Sequence, residues 1–294
     1  MQQWTHIPIM AKEIADFLLT RQNGLYIDAT LGLGGHSAYF LSRLGPNARI
    51  LGFDKDEHAL EMAVARVQDN RLIPFHASYT KAPEVLQQLG ENGADGALFD
   101  LGLSSYQLDD PSRGFSLLRD GPLDMRFDVR GDLSAADIVN TWPMAQLERI
   151  LVEYGEERKA TEIALSLLKA RRVSNITTTG QLKTIVEEVY HGRRGKTHPA
   201  TQTFQALRIA CNRELEAVET ALNSLENILK VGGRAAILTF HSLEDRLVKN
   251  HFKNLAASGK WTLLTKHAQA PAYAEVRQNR RARSAKLRVI ERVQ

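Results

Sequence analysis

Asp28, Asp54 and Asp100 stand at the ends of three short apolar runs, and such runs end at the ligand edge of an open α/β sheet. Between the first two lies Gly32-Leu33-Gly34-Gly35-His36-Ser37. This turn nearly matches G-x-G-x-x-G, but Ser37 occupies the third glycine position, which lets helix and strand pack closely beside a pyrophosphate. Asp54 follows Gly34 by 20 residues, the spacing at which a carboxylate accepts both ribose hydroxyls. Tyr79, after the next apolar run, offers an aromatic face to a purine. Three carboxylates around one crevice raise the electrostatic cost of a dianionic pyrophosphate and suit a cationic ligand. S-adenosyl-L-methionine has a sulfonium, an ammonium, a ribose diol and one carboxylate, and that carboxylate can take the helix N-terminal amides at Gly34, Gly35 and His36. The pattern therefore favours a methyl donor over NAD, and an NAD-dependent oxidoreductase is the second enzyme class.

These residues need a frame. Four segments read as buried strands: Leu25–Ala29, Ala48–Phe53, Leu72–His76 and Gly96–Leu101. Helical stretches alternate with them at Gly35–Leu44, at Glu57–Val67 with Leu60, Val64 and Val67 on one face, and at Lys81–Leu89. Alternation at this spacing predicts a doubly wound α/β sheet. The next convincing strand, Arg234–Phe240, comes 135 residues after Asp100 if counted to Ala235, whereas a crossover needs about a dozen or more. The intervening chain reads as helices at Ala135–Val139, Met144–Glu153, Arg158–Ala170, Gly180–Tyr190 and Ala200–Ile209, then a long one from Glu214 to Leu229. A helical subdomain inserted between strands 4 and 5 follows, with expected boundaries 1–105, 106–213 and 214–294. Leu243–Leu255 reads as a helix, and Trp261–Lys266 and Lys286–Val293 as a final hairpin whose connection, His267–Ala285, has no internal apolar pattern. An antiparallel last strand completes the seven-stranded, Rossmann-like class I methyltransferase plan.

Composition narrows the classes. The chain of 294 residues is 43% hydrophobic and 24% charged, ordinary for a globular protein, and carries a net charge of +4. No apolar run reaches the roughly 18 residues of a membrane span, and the N-terminus lacks a secretory pattern. One cysteine, Cys211, excludes an internal disulfide and suits a cytoplasmic protein, and the scattered histidines show no zinc-ligand spacing. Basic residues cluster at Lys169, Arg171 and Arg172, at Arg193, Arg194 and Lys196, and at Arg277, Arg280, Arg281 and Arg283. The last group flanks the expected cofactor edge, which favours an anionic substrate such as nucleic acid. Composition leaves monomer and dimer both open.

Long blocks carry a further signal: DATLGLGGHS at Asp28–Ser37, GFDKDEHAL at Gly52–Leu60, DLGLSSYQLDDPSRGFS at Asp100–Ser116, RDGPLDMR at Arg119–Arg126, EYGEER at Glu153–Arg158, HPATQTFQALRIACNREL at His198–Leu215, FHSLEDRLVK at Phe240–Lys249 and NRRARSAKLRV at Asn279–Val289. In these blocks and their order the chain resembles the bacterial 16S ribosomal RNA cytosine-1402 N4-methyltransferases. The resemblance implies S-adenosyl-L-methionine as cofactor, 16S rRNA in the small ribosomal subunit as substrate, and RNA binding in the cytoplasm. It implies cofactor contacts from Gly34, Gly35, His36, Asp54, Tyr79, Asp100 and Gln107, the last from the resemblance alone. Asp100, or a backbone carbonyl in Leu101–Ser104, is the expected proton acceptor for the cytosine amino group, and Arg193, Arg194, Lys196, Arg280, Arg281 and Arg283 are the expected RNA contacts. His241 reads as a hydrogen-bonded structural histidine ahead of a substrate contact. A non-catalytic RNA-binding assembly factor that keeps the cofactor pocket is the alternative reading.

Overall fold

The computed structural model describes residues 8–192 and 197–294, and the chain forms two compact units. One joins Met1–Gly102 to Glu216–Gln294; the other is Leu103–Leu215.

In the first unit, α1 (Ala11–Leu18) leads into β1 (Leu25–Asp28), α2 (Gly35–Leu41), β2 (Arg49–Asp54), α3 (Glu57–Val67), β3 (Leu72–His76), α4 (Ala82–Gln88) and β4 (Ala94–Asp100). The second unit then carries α5 (Ser105–Asp109), α6 (Ala135–Thr141), α7 (Met144–Glu153), α8 (Ala160–Val173), α9 (Thr179–Val189) and α10 (Thr201–Asn212). The chain continues through α11 (Glu214–Asn223), α12 (Leu225–Ile228), β5 (Leu229–Thr239), α13 (Ser242–Ala257), β6 (Trp261–Leu263), α14 (Tyr273–Gln278) and β7 (Lys286–Arg292).

The seven strands form one sheet in the order β3-β2-β1-β4-β5-β7-β6. Neighbours run parallel except at β7, which pairs antiparallel with β5 and β6. Both faces are covered, as near-continuous apolar strands require. Leu25, Ile27, Phe53, Phe99 and Ile237 face one core with α4, α11, α12 and α13. Tyr26, Ile50, Leu98 and Leu238 face the other with α1, α2 and α3. The parallel strands β1, β2, β4 and β5 therefore bring Asp28, Asp54, Asp100 and Thr239 to one edge.

Four expectations change. On α3 the buried stripe is Ala59, Leu60 and Ala63, while Val64 is 46% exposed. Small side chains win that face because α2 comes close to it. The single helix expected over Glu214–Leu229 breaks at Ser224, whose N–H turns back to Thr220 and Ala221, and β5 begins at Leu229. β6 stops at Leu263, short of Lys266. The connection 267–285 is structured, with α14 followed by a 3-10 turn, Arg280–Ser284. Ala282 and Ala285 are buried in the core and Val276 packs against it, an apolar spacing too sparse to read as a helix.

The second unit has its own core, which includes Leu123, Ile138, Leu147, Ile163, Leu182 and Leu207. Arg171 belongs to its scaffold: the guanidinium donates to the carbonyls of Val139 (3.0 Å) and Trp142 (2.7 Å) at the end of α6. Cys211 is turned inward, its Sγ 3.0 Å from the Leu133 carbonyl, and burial pushes its thiol up to about 12. Arg193, Arg194 and Lys196 lie outside the described residues. No helix among the described residues is long and apolar enough to cross a membrane.

Candidate active site

The glycine turn is built by backbone. The Leu31 N–H donates to the Phe53 carbonyl on β2 (2.8 Å), and Gly34 N–H returns to Leu31 (2.8 Å). Gly34 caps α2 at φ 73°, a left-handed conformation that favours glycine. A Cβ there would stand 2.8 Å from Val67 Cγ2 and 3.3 Å from Ala63 Cβ, so α3 packs directly on the turn. Gly35 opens α2, where the first N–H groups have no partner within the helix.

Ser37 is fully buried, and its hydroxyl donates to Asp28 Oδ2 at 2.7 Å. The serine in the third glycine position thus ties α2 to the end of β1. Asp28 is itself only 1% exposed, and burial pushes its carboxyl above the usual range. This corrects the picture of three carboxylates facing one crevice: Asp28 is a strut beneath the turn, leaving the half-buried Asp54 and Asp100 at the edge.

Asp54 ends β2. Its Oδ2 accepts the Gly32 N–H at 2.7 Å and its Oδ1 the Asp56 N–H at 2.9 Å. Burial pushes this carboxyl up to about 6 in spite of both bonds. Each oxygen keeps a further lone pair, so the group can still accept two hydroxyls from a vicinal diol. Asp100 ends β4, its N–H fixed by Thr30 Oγ1 at 2.8 Å. Asp100 Oδ2 lies 3.4 Å from Nε2 of His36, a ring that is 6% exposed and whose nitrogens make no hydrogen bond among the described residues. A buried imidazole facing a carboxylate is an unspent polar contact at the mouth of the turn. Tyr79 stands in the 3-10 turn Tyr79–Lys81 after β3, with its ring edge-on to Phe99 at 5.6 Å.

Gln107 belongs to the second unit, where its Oε1 accepts the Ser104 N–H at 3.3 Å as part of the cap of α5. His241 precedes α13, its Nε2 2.9 Å from Glu244 Oε1, while the other oxygen of Glu244 accepts the Phe240 N–H at 2.9 Å. Arg280, Arg281 and Arg283 are exposed on the 3-10 turn that Ala282 anchors. The partnership of Ser37 with Asp28 was not foreseen; its only trace in the sequence is a hydroxyl where a glycine is expected.

A sheet of this order with one antiparallel strand, a glycine turn after β1 and a carboxylate ending β2 defines a class I methyltransferase. The model of the MraW methylase family matches residues 3–293. Relatives run the full length: ribosomal RNA small subunit methyltransferase H of Elusimicrobium minutum is 55% identical over 294 residues, covering 100% of both chains. The proteins of the same name from Halothermothrix orenii and Citrifermentans bemidjiense are 43% and 42% identical, with 98% and 100% of each chain covered. The chain belongs to the MraW methylase family, whose methyl donor is S-adenosyl-L-methionine.

Proposed function

We propose that the protein transfers a methyl group from S-adenosyl-L-methionine to N4 of cytosine 1402 in 16S rRNA of the small ribosomal subunit. The observation that carries this reading is the pairing of Asp54 and Asp100 at one sheet edge, one with spare acceptors for a diol and the other half-buried beside a buried histidine. The full-length relatives named as small-subunit rRNA methyltransferases support the substrate class.

In this reading Asp54 holds the ribose, the amides of Gly34, Gly35 and His36 face the donor's carboxylate, and Tyr79 covers the adenine. The donor supplies an electrophilic methyl on a sulfonium, so charge disperses as the methyl leaves and a dry pocket does not oppose transfer. The cytosine amino nitrogen is a poor nucleophile because its lone pair is delocalised into the ring. Asp100 accepts an N4 hydrogen bond, favours the pyramidal nitrogen and takes the proton released. Arg193, Arg194, Lys196, Arg280, Arg281 and Arg283 bind RNA phosphates, and the second unit recognises the substrate.

The test is incubation of the pure chain with undermethylated small subunits and labelled donor, followed by mass-spectrometric mapping of the modified nucleotide. Methyl incorporation at a single cytosine N4, lost in Asp54→Ala, is the expected result. A chain that binds subunits without turnover is an assembly factor, and the proposal is then wrong.

A further inference from the structure

A second concavity lies on the first unit, away from the glycine turn. It is a cavity of 310 Å³ lined by Lys249, Lys253, Lys266, His267, Arg288 and an apolar floor that includes Phe252 and Leu263. Lys249 and Lys253 are one helical turn apart on α13, and Lys266 and His267 follow β6. Arg288 is already neutralised, its Nε 2.8 Å from Asp245 Oδ1, and the same carboxylate takes Lys286 at 3.1 Å. Lys249, Lys253 and Lys266 are exposed and enter no ion pair among the described residues. The sequence explains why: no acidic residue occurs between Asp245 and Glu275. By contrast Lys260, in the same stretch but outside the cavity, is paired with Glu226 at 3.2 Å.

Three converging, uncompensated ammonium groups cost self-repulsion, which an anion removes. The location says which anion. β6 runs parallel to β4, and its end, Leu263, pairs with Ile290, which faces Ala235 on β5 and so lies level with Ala97, three residues before Asp100. The chain then climbs toward the Asp100 edge, where Gln269 pairs with Leu287, itself opposite Leu238 and level with Asp100. Three strand positions across and three residues along put the end of β6 about 17 Å from Asp100, which about five nucleotides bridge at roughly 3.4 Å each. The exposed arginines of the 3-10 turn leave from the same cavity along the chain that begins at His267.

We infer that the cleft between α13 and the end of β6 is a phosphate-binding groove for the RNA strand flanking the target nucleotide, with Lys249, Lys253 and Lys266 as its cationic contacts. This rests on the RNA reading above. A protein partner is the alternative occupant, which the cross-links below test.

The experiment uses the full chain carrying Lys249→Ala, Lys253→Ala and Lys266→Ala together. Affinity for undermethylated small subunits is measured across a salt series, donor affinity by calorimetry and folding by thermal denaturation. Subunit binding is expected to weaken at least about tenfold, and the slope of log K against log salt to flatten by about two to three. Donor affinity stays within about twofold, because the cavity does not touch the glycine turn. Lys260→Ala leaves all three readouts unchanged. Unaltered affinity and slope in the triple variant, with normal methylation by the wild type, overturn the groove alone. A Lys260→Ala effect as large as the triple variant's reduces the result to net charge and also overturns it. Cross-links from Lys253→Cys that map to ribosomal protein instead of rRNA do the same. If the wild type neither binds nor methylates the subunits, both this inference and the function it rests on fall.

Discussion

With both oxygens of Asp54 already bonded to the backbone and its carboxyl pushed up to about 6, donor binding depends on which protonation state the cell's pH selects. Diol hydroxyls donate best to the ionised group. Affinity is therefore close to full above about pH 7, about half of that near pH 6, and falls by up to tenfold per unit below it. Calorimetry between pH 5 and 8 is expected to show this fall in the wild type and a flat, weak profile in Asp54→Asn. Gly34 is the other exacting residue. Gly34→Ala meets a left-handed φ of 73° and a 2.8 Å approach to Val67, and a loss of about 1–3 kcal/mol is expected. Thermal melts of Gly34→Ala with and without Val67→Ala separate the two costs: the second substitution relieves the contact and leaves the dihedral strain.

Among the elements, the bounds of α3 and β3 are legible to the residue because Asp56 caps one and turns bound both, though the buried face of α3 is not. The α14 segment is not, since Val276, Ala282 and Ala285 are too widely spaced to show a period, and their burial depends on α1 and α2, which are distant in sequence. The same holds within the site. Asp54 could be found by its distance from Gly34, a local rule, whereas Asp28 is removed from the crevice by Ser37, a contact only folding makes. Lys249 and Lys253 read along the chain as an ordinary solvated helix face until β6 brings Lys266 beside them. For the arginine turn, Arg280→Ala with Arg281→Ala and Arg283→Ala is expected to raise KM for small subunits and leave kcat at saturation unchanged. Steady-state kinetics with labelled donor checks this, and an unchanged KM assigns those side chains to solvent.

At the scale of the whole chain, two cores share one polypeptide. The first unit closes only when Glu216–Gln294 returns to add β5, β7 and β6 to strands laid down before Gly102. β4 and β5 are neighbours across an interruption of more than a hundred residues, so their pairing is among the most non-local in the fold. Non-local pairing pays its loop entropy before contacts repay it. The early strands are expected to gain lasting amide protection only after β5 docks, which pulsed hydrogen exchange during refolding resolves.

The lone sulfur atom of this protein's cysteine is, in effect, a silent witness. A thiol held near 12 offers almost no thiolate at pH 8, so alkylating dyes should label it at least about a thousandfold more slowly than a free thiol. Any dye that does attach records a moment when the helical unit came open, and the native chain carries this clock without a single engineered residue.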